Sequence, residues 1–269
     1  MFVIDLLKFR RSYVWAVIFL VPSIAVGIGA ANYHANLAVL NAGWASYLSQ
    51  ATLFYGLIFM TVGVAIIAAA AWRLEHRNHN WNTILTSPRS AGEVVAAKFF
   101  SIMVLIALMQ AVFIALALGI GRGLGIQGEI SPLNVSALFL AIIPAFAVGA
   151  WQSFFSMIIR SFATPVAISL VGAIASVGIL YSGIRLIPML LPPAMVTSTI
   201  SLGSTAFGAD DTLMCAVLCS GWLLLSASSS ELGLHLLPGC EPMTLRLRAH
   251  PWDSSLCHRC KMPSRPSAI

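Results

Sequence analysis

Long apolar runs broken by short polar, glycine-rich or proline-containing stretches dominate this sequence. Five runs are long enough to cross a hydrocarbon core of ~30 Å as helices: Tyr13–Ala31, Ala51–Trp72, Phe99–Gly121, Val135–Ile159 and Thr164–Gly183. A sixth, Leu213–Ala227, falls short of the ~20 residues that a span needs. The dyad alternation of a transmembrane barrel is absent. The pattern therefore predicts an all-α, polytopic membrane helical bundle of six spans, the last one short or disrupted. Pro144 predicts a kink in the fourth span, and Thr164 followed by Pro165 predicts a capped start to the fifth.

The breaks between the runs differ in kind. Residues 1–12 mix apolar and charged positions, with Val3, Leu6, Leu7 and Arg10 on one side of a helix. They form either an interfacial helix or the flank of the first span. Asn32–Ser49 reads as a loop with no Lys, Arg, Asp or Glu, and with Tyr33, Trp44 and Tyr47 as interfacial aromatics. Gly119–Gly128 is rich in glycine but lacks the GK[ST] ending of a P-loop, so no nucleotide site is read there. Ile184–Asp211 is too apolar for a solvated loop, yet Pro188, Pro192 and Pro193 prevent one continuous helix. It is expected to supply a short helix dipping into the membrane or packed on the bundle, with a surface loop as the alternative.

Composition narrows the class of protein. With 59% hydrophobic and 9% charged residues and a mean hydropathy of +0.90, a water-soluble core is excluded. The net charge of +6 could point to nucleic acid, but the cations stand at the ends of apolar runs and form no stripe that could track phosphates. They set topology instead. Lys8, Arg10, Arg11, Arg73, Arg77, Arg89, Lys98 and Arg160 fall on one side, against Arg122 and Arg185 on the other. The positive-inside rule then puts the N-terminus and residues 73–98 in the cytoplasm. The first run is longer than a signal-peptide core and further spans follow, so it is read as a retained span.

The most structured polar stretch is EHRNHNWNTILTSPRS, residues 75–90. Trp81, Ile84 and Leu85 stand at i, i+3 and i+4 and form one face of a short helix, with Arg77, Asn78, His79, Asn82 and Thr83 on its polar surface. Pro88 ends that helix, and Ser90-Ala-Gly-Glu93 matches a capping box that opens the third span. Glu75, His76 and His79 do not make the H-E-x-x-H pattern, so no metal site is assigned to them. Such a helix either rests on lipid headgroups or docks into a partner protein.

Here the sequence resembles the membrane subunit of type-2 ABC exporters, particularly the small permeases of the bacitracin and lantibiotic-immunity group. The resemblance lies in Glu75, Asn80-Trp81, the run Leu85-Thr86-Ser87-Pro88-Arg89-Ser90 and Ala97-Lys98, and it covers about residues 1–213. It implies that the loop is a coupling helix seated in a groove of a cytosolic ATPase. Trp81, Ile84 and Leu85 would anchor it against ATPase or permease, Glu75 and Arg77 would make polar contacts at the joint, Asn80 would belong to the same coupling set, and Pro88 would set its angle to the third span. It further implies two permease subunits, as a homodimer or heterodimer, working with two ATPase subunits that hold ATP and magnesium. No cofactor is expected on this chain, and its location would be the cell inner membrane.

Little else in the spans carries chemistry. Gln110 and Gln152 are the clearest polar groups at depth; they either line a substrate path or make interhelical hydrogen bonds. Gly172 and Ser176 form a small-xxx-small pair that predicts close packing of the fifth span. The rival reading is a membrane protein without an ATPase: a channel, a scaffold or a small intramembrane enzyme.

Residues 1–227 are thus read as a permease domain and 228–269 as an atypical tail. All five cysteines fall after position 214, and the tail has neither helical nor strand periodicity, as out-of-frame translation would produce. The pair Cys257 and Cys260 has zinc-ligand spacing but lacks a second pair.

Overall fold

A computed structural model describes residues 9, 12–76, 91–181 and 191–200. Every regular element among them is helical: α1 (Val14–Ala35), α2 (Trp44–Phe54), a π-helical turn (Tyr55–Phe59), α3 (Met60–His76), α4 (Ala91–Gly123), α5 (Pro132–Leu140), α6 (Ile142–Ile158), α7 (Ala163–Tyr181) and α8 (Pro192–Ile200). Among the described residues, four continuous helical stretches are long and apolar enough to cross a membrane: Val14–Ala35, Trp44–His76, Gly92–Gly123 and Pro132–Ile158. The helix that follows Ile158 is apolar but shorter. The predicted sixth run, Leu213–Ala227, and the tail lie outside the described residues.

Side-chain placement is that of a bundle in lipid. Phe19, Leu20, Ile24 and Ile28 on α1, Phe100 and Val104 on α4, and Leu170, Val171 and Ile174 on α7 all face outward. Apolar surface on this scale is unsustainable in water and normal in a bilayer. Small residues take the interior: Ala65, Ala68, Ala69 and Ala71 of α3 are buried and let α6 pack closely along it.

The chain crosses and recrosses antiparallel, so His76, Ala91, Ile158 and Ala163 share one end, here the proximal end, while Ala35, Trp44 and Gly123 share the distal end. At the distal end the helix over Trp44–Phe54 extends the second span well beyond its apolar run, and α1 continues to Ala35. The expected loop Asn32–Ser49 therefore shrinks to residues 36–43. Polar residues there are tolerated in helix because each finds a partner: Asn32 donates to Gln50 at 2.6 Å, and the Tyr47 hydroxyl donates to the Ala117 carbonyl at 2.9 Å.

The fourth span breaks where proline requires it. Pro144 clashes with the carbonyl one turn before it, and the helix is interrupted at Ala141 between α5 and α6. Gln110 of α4 donates its amide to the Leu138 carbonyl at 2.7 Å, beside this break. The fifth span starts at Ala163, so Thr164 lies inside the first turn and is not its cap. Ser176 is buried, and among the described residues a Cβ on Gly172 would meet Pro193 and Trp151 at ordinary distances of 3.7–3.8 Å, so no approach there requires glycine.

Helix α8 is the packed short helix that the apolar, proline-containing segment was expected to supply. Pro192 and Pro193 fill its first turn, where a missing amide costs nothing. It is buried along most of its length and packs on α6, α7 and the π turn. Thr197 donates its hydroxyl to the Gly56 carbonyl at 3.0 Å. A Cβ on Gly56 would lie 2.5 Å from Ile200 Cγ2, so only glycine admits α8 this closely.

Candidate functional site

The densest set of buried polar groups among the described residues lies at the proximal end, on the helices that flank residues 77–90 in sequence. It is built on the last turns of α3 and α6 and the second turn of α4. Trp72, Glu75 and His76 follow each other at i, i+3 and i+4, so one face of α3 carries an indole, a carboxylate and an imidazole. On α6, Ser153 and Ser156 repeat at i and i+3 toward that face.

Three contacts tie these helices together. The Trp72 indole donates to Ser153 Oγ at 2.8 Å. His76 Nε2 sits 2.9 Å from the Ser156 carbonyl, a bond that requires the Nε2-protonated ring if the carbonyl is to accept. Lys98 Nζ donates to Glu75 Oε1 at 2.5 Å, and both side chains are essentially withdrawn from solvent, at 1% and 2% exposure. Outside this layer, the Arg73 guanidinium rests 5.4 Å above the Phe162 ring, which links α3 to the start of α7.

At the layer and deeper in the bundle stand buried groups without partners among the described residues. Gln152, 0% exposed, has neither its amide nitrogen nor its oxygen bonded, and Ser156 Oγ one turn further along α6 is likewise unpaired. Gln110 has an unpaired Oε1 although its nitrogen is satisfied. Desolvating such groups costs ~1–3 kcal/mol each, so a bundle selected for stability alone would not keep them.

Of the residues that the sequence singles out, Glu75 is in the layer and Gln152 borders it, whereas Gln110 sits deeper on α4. Arg77, Asn80, Trp81, Ile84, Leu85 and Pro88 lie outside the described residues, as does His79. The expected capping residue Ser90 also lies outside the described residues, and the third span is helical from Ala91, the first described residue after it. Sequence reasoning names Lys98 as a topology determinant and, with Ala97, as part of the motif, but misses its pairing with Glu75. The structure corrects this: the ammonium group is buried against a carboxylate 23 residues earlier. An acidic and a basic residue flanking the same interhelical connection was the available signal. Trp72, Ser153 and Ser156 carry no signal, because a tryptophan and two serines in apolar sequence are commonplace one at a time.

Membrane-length apolar helices and a lipid-facing exterior define a multi-pass membrane protein, with a buried Lys–Glu pair at one end. A family model described as "ABC-2 family transporter protein" matches residues 1–176. The chain belongs to the ABC-2 transporter family and is an ABC transporter permease subunit, a transport component whose family implies an ATPase partner. No curated protein matches it.

Proposed function

We propose that this chain is the membrane-spanning subunit of an ABC exporter that moves a hydrophobic or amphipathic substrate outward, powered by a separate ATPase. The observation that carries this reading is the family match over residues 1–176, which includes the whole of the 73–98 segment and its buried root. Within it, residues 77–90 are the coupling helix, facing the cytoplasm, with Trp81, Ile84 and Leu85 seated in the ATPase, Arg77 and Asn80 at the polar joint and Pro88 setting the angle into the third span. The complex is a dimer of permeases with two ATPases that hold ATP and magnesium, in the cell inner membrane with six spans and the N-terminus inside.

The apolar character of the spans favours a substrate that partitions into lipid, and the motif residues around Asn80-Trp81 favour the bacitracin and lantibiotic-immunity group, hence a peptide antibiotic as cargo. Gln152, with both amide groups free, is the better placed of the two glutamines to meet a polar group of the cargo. Substituting Trp81 and Leu85 together by alanine removes the apolar face of the coupling helix. The doubly substituted protein should insert normally yet fail to co-purify with the ATPase encoded beside it, and retained association would refute the assignment.

A further inference from the structure

The buried pair at the root of this loop has a geometry that stability does not explain. A buried salt bridge is commonly no better for the fold than two apolar side chains of similar size, because desolvation offsets the attraction. The pair nevertheless stands where α3 leaves the bundle and α4 enters it, and it joins the two helices that flank residues 77–90. On the other side of α3, Trp72–Ser153 and His76–Ser156 join it to α6. A force on the connecting segment therefore meets two helices clamped to each other and a third hydrogen-bonded to the first. The chemistry of the two side chains suits a clamp. A charge-assisted bond resists lengthening more than apolar contact does, and burial of both side chains strengthens it. Beside the clamp, the unpaired amide of Gln152 and hydroxyl of Ser156 are acceptors and donors that a shifted α3 could engage.

We infer that Lys98 and Glu75 are positioning residues for energy coupling: their ion pair makes α3 and α4 move as one when the segment between them is displaced. The inference rests on the coupling role proposed above. The pair binds no nucleotide and touches no cargo; it converts displacement of the loop into displacement of two spans.

The test uses the full chain with its ATPase in lipid nanodiscs, the five native cysteines replaced by serine and spin labels placed at Val39 and Leu133, both exposed near the distal end. Label separation is measured by pulsed electron resonance with and without ATP and vanadate. The wild-type pair should give a nucleotide-dependent change in separation. E75M/K98M should keep its thermal midpoint within a few degrees and lose at least ~70% of that change per bound ATPase, with ATPase occupancy and hydrolysis measured on the same nanodiscs. The charge-exchanged E75K/K98E should recover more than half of it. A full response in E75M/K98M would overturn the inference and leave the pair a packing feature. If that variant does not fold, the exchanged pair decides: response supports the inference, and a folded, ATPase-bound but unresponsive protein overturns it. Failure of the unsubstituted protein to bind the ATPase at all is a separate outcome, which would remove the coupling role itself and the inference with it.

Discussion

Replacing Lys98 alone by alanine is expected to cost about 3–5 kcal/mol of stability, the usual penalty for leaving one member of a buried ion pair without its partner. The reason lies in where Glu75 sits. Its carboxylate is buried on a face of α3 that packs into the bundle. With Lys98 gone, the buried Glu75 carboxylate loses the ammonium group that accompanies it out of water, which is unfavourable in low dielectric. The volume of the lysine stem is lost as well, which opens a cavity. Heating in detergent followed by size-exclusion chromatography should therefore show Lys98→Ala aggregating well below the wild-type temperature. Arg73→Ala is the control: its side chain is exposed over Phe162, and its loss should change the midpoint little. A Lys98→Ala midpoint indistinguishable from wild type would mean that the pair is not buried as described.

The second large effect is at Gly29. A Cβ there would fall 2.5 Å from Ala51 Cα, 2.8 Å from Ala51 N and 3.0 Å from the Gln50 carbonyl carbon, all backbone atoms that no rotamer change can move. Gly29→Ala must therefore push α1 away from α2. Overpacking of this kind costs roughly 1–3 kcal/mol, and parting the helices also strains the Asn32–Gln50 bond one turn further along. Gly27→Ala, where a Cβ meets nothing within 4 Å, should be neutral or slightly stabilising through the better helix propensity of alanine. Gly149 makes an instructive contrast. Its Cβ would come within 2.5 Å of Ile106 Cδ1 and 2.8 Å of Met103 Cε, both ends of flexible side chains, so the neighbours can yield. The thermal midpoints should fall in the order Gly27→Ala, Gly149→Ala, Gly29→Ala, and equal values for the first and last would contradict the helix contact.

The spans are legible in the sequence because a hydrocarbon solvent imposes length and apolarity on every crossing, and those are properties of single residues summed along a run. The same reasoning explains where the reading fails. Helices α1 and α2 extend past their apolar runs because Asn32, Gln50 and Tyr47 have partners on other helices, and hydropathy registers a side chain's cost but not its partner. Gly172 has the spacing of a contact residue while Gly29 and Gly56 make the contacts, since glycine spacing alone does not say which helix faces it.

The candidate site divides the same way. The apolar face of Trp81, Ile84 and Leu85, the break at Pro88 and the capping box at Ser90 follow from periodicity and capping rules as expectations, on residues outside the described ones. The clamp on the flanking helices does not. In sequence Lys98 is indistinguishable from the other cations at span ends, and only the antiparallel packing of α3 on α4 brings it to Glu75. A carboxylate and an ammonium placed on opposite sides of one short connection between two spans is a pattern worth reading as a pair, because in the low-dielectric interior each is the other's least costly partner.

The central claim is that residues 77–90 meet an ATPase and pass its motion to the clamped helices. Its most direct test is a photo-crosslinking amino acid at position 84, on the expected apolar face, in intact cells that express the chain with its neighbouring ATPase. Irradiation should produce an adduct of the combined mass of the two subunits, and the same probe at Val39, at the distal end, should not. An adduct at position 84 with lipid or with the permease itself, while the two subunits still co-purify, would contradict the account.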